Sequence, residues 1–338
     1  ISFFTFHGIS YLVDVYRGDV AVCRNPLDIL LYLSFFPQLV AGPIVRSSDF
    51  LPQLARPPAP RVEIALPVLL ILGGLFKKVV VANGLATRLV DPVFFDPSRR
   101  GALDRLAATY GYAVQIYADF SAYTDIAIGL AALLGYRFPV NFDQPYRAAS
   151  LREFWRRWHI SLSSWLRDYL YKPLGGSRGS EAATMRNLMI VMLLGGIWHG
   201  AAWKFAAWGA LHGAGLAVER KLGRLLWPRE RLGRLLGAAV VLHVVCLGWI
   251  LFRADGIETA AAFFGPAGDA ETVLAPWTIG LIALGFALNW CPPGLPRRLA
   301  DACAAWPAWV WGVLAAAGVL AIDAMGPEGV APFIYFQF

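Results

Sequence analysis

Apolar stretches of membrane-crossing length recur along the whole chain, at residues 26–45, 64–82, 106–134, 185–203, 204–219, 235–252, 274–290 and 308–325. About 20 helical residues span the hydrocarbon core of a bilayer, where every backbone N–H and C=O must be satisfied by the chain itself. The runs therefore predict an all-α, polytopic transmembrane fold. A soluble helical protein is excluded by composition. The chain is 57% hydrophobic and 16% charged, against about 25% charged in soluble domains. A single soluble core stops growing near ~250–300 residues and could not bury this much apolar surface.

The net charge of +7 would suggest nucleic acid in a soluble protein. Here the basic residues sit in short loops between apolar runs, as expected of cytoplasmic loops, and no nucleic-acid-binding motif is present. Lys77 and Lys78, after Gly73-Gly74, are expected at a cytoplasmic edge. The stretch Arg220 to Arg234, with six basic residues against Glu230 alone, is the firmest cytoplasmic loop. Pro57, Pro58 and Pro60 mark one loop, and Pro266 to Pro276 another, poor in basic residues and expected outside. Cys23, Cys246, Cys291 and Cys303 are scattered, without CxxC or Cys/His spacing, so no metal site is expected. No internal repeat is evident. Residues 1–338 read as one membrane domain that opens at Ile1 directly in apolar sequence, so further N-terminal spans are expected to precede it.

Residues 150–172 differ from the rest. Phe154, Trp158, Leu162, Trp165 and Tyr169 recur at three- and four-residue steps, with Arg152, Arg156, Arg157, Arg167 and Asp168 mostly elsewhere. The pattern predicts one amphipathic helix that lies in the headgroup region or re-enters the protein. Ser150 and Glu153 form a capping box at its start, and Pro173 with Gly175-Gly176 stops it.

Of five histidines, His199 lies in a run otherwise free of charge, flanked by Gly195, Gly196 and Gly200. An ionisable group in a span is a functional candidate by default. Burial keeps such a ring neutral and able to take a proton. On periodicity alone, a core histidine bonded to a carbonyl explains the sequence equally well. His159 reads locally as a headgroup-facing residue, and His212 and His243 as helix contacts; His7 has no local partner. Asp119 and Asp125, with Tyr123 between them, need cationic partners within an apolar run, and arginines of residues 150–172 are the obvious supply. A proton or ion relay through these two carboxylates is the rival class of function. No P-loop, GxGxxG, GxSxG or HExxH is present, so nucleotide and zinc hydrolysis are unsupported.

Five stretches together resemble the membrane-bound O-acyltransferase (MBOAT) family: Phe35–Leu54, Gln115–Tyr146, Phe154–Gly176 with RRWHISLS, Gly195–Gly213 with GIWHG, and Pro332–Phe338. The resemblance runs in order along the whole chain and is nearest to the branch that acetylates exported polysaccharides such as alginate. It implies helices, some amphipathic or re-entrant, around a central tunnel. It implies catalytic roles for His199 and His159. Around them, Trp198, Trp158, Arg156, Arg157, Ser163 and Asp119 are the expected substrate contacts; Arg152, Arg156, Arg157 and Lys172 would attract the phosphates of an anionic donor or bind lipid headgroups. It further implies a cytoplasmic thioester donor such as acetyl-CoA and no tightly bound cofactor. A periplasmic acetyltransferase partner, polysaccharide-synthesis machinery, membrane lipid and a bacterial inner-membrane location complete the expectation. Other MBOAT acceptors (a lipid, a protein, the cell wall) stay open, as does a proton-coupled transporter.

Overall fold

The computed structural model describes residues 2–39, 41–55, 63–226 and 231–327. The loop at Pro57–Pro60, the centre of the basic loop at Trp227–Glu230 and the terminal stretch Pro332–Phe338 lie outside the described residues. Within them the chain is all-α, with no strand. The order is α1 (Ser2–Arg17), α2 (Pro26–Ser34), α3 (Ser47–Leu54), α4 (Ala65–Phe95), α5 (Ala102–Leu133), α6 (Leu151–Arg157), α7 (Ile160–Leu166), α8 (Glu181–His199) and α9 (Trp203–Leu226). It continues with α10 (Arg231–Arg253), α11 (Ile257–Ala262), α12 (Pro276–Trp290), α13 (Leu295–Ala302) and α14 (Ala308–Met325).

Among the described residues, α4, α10 and α14 are long and apolar enough to cross a membrane, and α12 with α13 would qualify together but for a 77° bend between them. Seven of the eight expected runs are helical. The exception is 26–45. Only α2 forms there, nine residues long, followed by a 3-10 turn at Phe36–Gln38 and extended chain. Pro37 and Pro43 each lack the N–H a helix needs. The extended part of this stretch is apolar because it is buried in the protein, with Ala41, Ile44 and Val45 inside the core, whereas Leu27, Leu30 and Phe36 on the preceding turns are exposed.

The longest element, α5, is enclosed by other helices along most of its length, which lets it carry Asp104, Arg105, Gln115 and Asp119 inside the protein, with Asp125 partly exposed. Its main neighbour is α4. That helix does not stop at Lys77-Lys78 as expected. It runs on through π-helical turns at Lys77–Ala82 and Ala86–Val90. The two lysines turn inward: Lys77 Nζ lies 2.6 Å from Asp125 and 2.9 Å from Ser121 Oγ, and Lys78 Nζ lies 2.8 Å from Asp119. The carboxylates are thus matched by lysines of α4, not by arginines of residues 150–172. A charge inside the protein stays there only when paired, so a lysine doublet in an apolar run marks a buried ladder as readily as a membrane edge.

Small residues let α4 and α5 approach closely. A Cβ on Gly74 would fall 2.7 Å from the Ala122 carbonyl oxygen and 2.6 Å from Ile126 Cγ1, whereas one on Gly73 would meet nothing within 4 Å. Gly74→Ala is therefore expected to destabilise the protein by about 1–3 kcal/mol. Gly73→Ala is expected to be neutral or stabilising, because alanine favours helix. Thermal melting of the two variants in detergent separates them.

Candidate active site

Residues 150–172 do not form one helix. The chain breaks at His159, whose φ of 43° and ψ of 56° lie in the left-handed region that bulky side chains avoid. A facing segment holds the break. The Asp143 N–H donates to the Arg157 carbonyl at 2.9 Å, and the Ile160 N–H to the Asn141 carbonyl at 2.9 Å. Ser150 caps α6 as expected, accepting from the Glu153 N–H at 3.0 Å, while the Glu153 carboxylate reaches the Ala149 N–H at 2.9 Å. Phe154, Trp158, Leu162 and Trp165 are all buried within the protein. The apolar face of this segment therefore re-enters the protein core and does not rest on lipid headgroups.

The break turns His159 inward, 1% exposed. Its Nδ1 lies 3.3 Å from Asn141 Oδ1, and the ring packs edge-on to Phe120 with centroids 4.6 Å apart. His199 is the last residue of α8 and arrives from the other side. Its ring sits among Trp198, Phe252 and Trp208, with centroids at 4.7, 5.0 and 5.4 Å. Close packing of α8 on α9 fixes that position: a side chain on Gly196 would overlap the Phe205 carbonyl, and one on Gly209 the Met192 carbonyl. The two histidines, 40 positions apart in sequence, line one cavity together with Trp158, Trp208 and Trp249. Its volume of about 20 Å³ fits a single water molecule. Leu162 also lines a second, larger pocket of about 240 Å³, walled by Phe6, Trp165, Tyr169 and Trp198.

Of the other expected site residues, Trp158 lines the histidine cavity and Trp198 the larger pocket. Ser163 Oγ donates to the Trp158 carbonyl at 3.1 Å. Arg157 is held by Glu153 at 2.9 Å and Asp143 at 3.3 Å, and Arg156 is exposed. Asp119 pairs with Lys78. Arg156, Arg157, Ser163 and Asp119 line neither cavity. His7 accepts from the Val45 N–H at 3.2 Å, and His212 is buried against Trp208 and Trp155 without lining the cavity. His243 donates from Nδ1 to the Ala239 carbonyl at 2.6 Å and accepts from Tyr110 at 2.8 Å.

Sequence reading missed Asn141, Trp208, Trp249 and Phe252. Each belongs to the site only through long-range packing, with no local pattern to single it out. It named Lys172 but missed the rest of a cationic cluster at the Tyr169 end of the larger pocket. Arg46 pairs with Asp168 at 2.9 Å and stacks over the Tyr169 ring at 4.5 Å, and the Tyr169 hydroxyl donates to Asp14 at 2.6 Å. Arg167 and Lys172 also contact Asp168, at 3.0 and 2.8 Å. Burial alone would raise the Asp168 carboxyl, but hydrogen bonds from Arg167 and Lys172 and the nearby Arg46 charge overcome it and hold it at about 2.

The folded value thus lies below the unfolded one of about 4, so this cluster stabilises the protein fully above that value and loses its effect as the pH falls toward 2. Asp168→Asn is expected to lower the melting temperature by a constant amount across about pH 5–8, with the gap to wild type closing below about pH 4. Melting curves at stepped pH check this.

A family model described as MBOAT, membrane-bound O-acyltransferase family, matches residues 23–234. The probable alginate O-acetylase AlgI of Azotobacter vinelandii is 45% identical over 262 residues, covering 77% of this chain and 51% of that protein. A peptidoglycan O-acetyltransferase of Helicobacter pylori is 38% identical over 288 residues, covering 77% of this chain and 54% of that protein. A teichoic acid D-alanyltransferase of Streptococcus thermophilus is 27% identical over 284 residues, covering 75% and 67%. The chain spans about half the length of the alginate and peptidoglycan relatives it matches.

Proposed function

The chain belongs to the membrane-bound O-acyltransferase family, and on that premise we propose that it is the catalytic part of an enzyme that acetylates an exported polysaccharide. The observation that carries the reading is the convergence of His159 and His199 on one small cavity inside a membrane domain. The acetyl group comes from a cytoplasmic thioester such as acetyl-CoA. It passes to an alginate-like polymer, directly or through a periplasmic acetyltransferase partner, at the bacterial inner membrane. The alginate O-acetylase and peptidoglycan O-acetyltransferase among the chain's relatives support a polysaccharide acceptor.

His199 takes the proton of the attacking hydroxyl while its oxygen bonds to the acyl carbon. The carbon–sulfur bond then breaks, and the proton leaves on the departing sulfur. His159 and Trp198 flank the reacting groups. The cavity holds no more than a water, so the donor reaches it only when Leu162 or Trp198, which border the larger apolar pocket, moves aside. The cationic cluster at Tyr169 suits the phosphates of the donor. Asp119 and Asp125 are engaged by Lys78 and Lys77, which weakens the case for an ion-coupled transporter built on them.

His199→Ala in the full-length protein is expected to lower polymer acetylation about 100-fold or more, with membrane insertion and melting temperature retained. Acetyl esters counted on polymer from cells carrying the variant check this, and normal acetylation would overturn the proposal.

A further inference from the structure

We infer that Asn141 is a positioning residue that fixes His159 in its Nδ1–H form, so that the ring faces the cavity through Nε2 as a hydrogen-bond acceptor. The inference rests on reading His159 and His199 as the reacting pair.

The argument starts from a donor whose role is not adjustable. The Ser161 backbone N–H lies 3.0 Å from one terminal atom of the Asn141 side chain. A backbone N–H can only donate, so that atom is the amide oxygen. The other end, Nδ2, then faces Thr124 Oγ1 at 3.4 Å, where it donates. His159 Nδ1 lies 3.3 Å from the same Asn141 oxygen. An amide oxygen has no hydrogen to give, so the hydrogen is on Nδ1. The competing arrangement, Ser161 Oγ giving its hydrogen to Nδ1, is the longer contact at 3.5 Å. The hydroxyl accepts from the Ile44 N–H at 2.9 Å and gives its own hydrogen to Asn141 Oδ1 at 2.9 Å.

A neutral imidazole carries one ring hydrogen, so Nε2 holds a lone pair. That atom is buried and finds no hydrogen-bond partner among the described residues. A buried acceptor left unmatched is unfavourable, and a ligand hydrogen would relieve it. Phe3 of α1 stacks near the ring and Phe120 of α5 meets it edge-on, which fixes its plane without offering a hydrogen bond. Across the cavity, His199 of α8 is the other titratable residue of the lining.

The tautomer decides what His159 does. With its lone pair inward the neutral ring cannot donate to a developing oxyanion. It accepts instead. When the hydroxyl proton moves to His199 as the carbon–oxygen bond forms, the lone pair of His159 Nε2 faces the positive charge across the shared cavity, and Asn141 Oδ1 holds the ring in that direction. The proton then leaves on the departing sulfur as the carbon–sulfur bond breaks.

Nitrogen-15 magic-angle-spinning NMR tests the tautomer without depending on activity. The probe is the full-length, histidine-labelled protein in phosphatidylethanolamine–phosphatidylglycerol vesicles, with the His159 signal identified by its loss in His159→Gln. A protonated Nδ1 and bare Nε2 are expected; the reverse would overturn the inference. The second variant is Asn141→Asp, which keeps an oxygen acceptor and adds negative charge behind the ring. Release of coenzyme A from acetyl-CoA is expected to persist, with the acid limb of its pH–rate profile moved up by about one unit or more. An unmoved limb would overturn the positioning role. His199→Ala run alongside keeps the two claims apart: retained turnover there defeats the reaction assignment and leaves the NMR result standing.

Discussion

A helix that breaks inside a membrane leaves N–H and C=O groups that no water can reach, and the protein must supply their partners. That requirement shapes the centre of this molecule. The break at His159 is answered by the short segment from Asn141 to Asp143, whose backbone and side chain bind residues 157, 160 and 161. Ser161 in turn receives the N–H of Ile44, which ties in the irregular chain that follows α2. Irregular backbone at this depth is tolerated because each piece completes another. The histidine at the break gains a fixed direction from the same contacts.

The ion pairs of α4 and α5 show a related economy of placement. Lys77 and Lys78 sit where α4 passes through π-helical turns, next to the carboxylates of α5. Two adjacent residues of one helix each reach a partner on its neighbour, six positions apart. Paired charges of this sort are weak evidence of stability, but they fix how the two longest helices align. That alignment places Phe120 beside His159 and Thr124 beside Asn141.

Much of this was legible in the sequence, and the failures have physical causes. Apolar length located α4, α5, α8, α9, α10, α12 and α14, because lipid and protein core both demand apolar surface. For the same reason it misread 26–45: apolarity does not say which of the two surrounds a segment, and Pro37 and Pro43 carried the missing information. Lys77-Lys78 misled in the opposite way, since charge at a membrane edge and charge in a buried pair look alike in one dimension. Three- and four-residue periodicity found the buried face of residues 150–172 but not the break, because a left-handed histidine leaves no compositional trace. His199 could be singled out on local grounds and His159 only through the family resemblance. Asn141 had no signal, since its role exists only where three distant segments meet.

The size of the chamber between the two imidazoles has a chemical consequence. Activated esters of thiols are attacked by water as well as by alcohols, and a catalyst that sharpens one nucleophile sharpens the other. On the thioester chemistry proposed above, space for a lone solvent molecule among indole and phenyl rings would deprive that competing attack of a supply. Idle turnover would then be curbed by volume, and the stored energy of the donor would survive until a larger nucleophile entered.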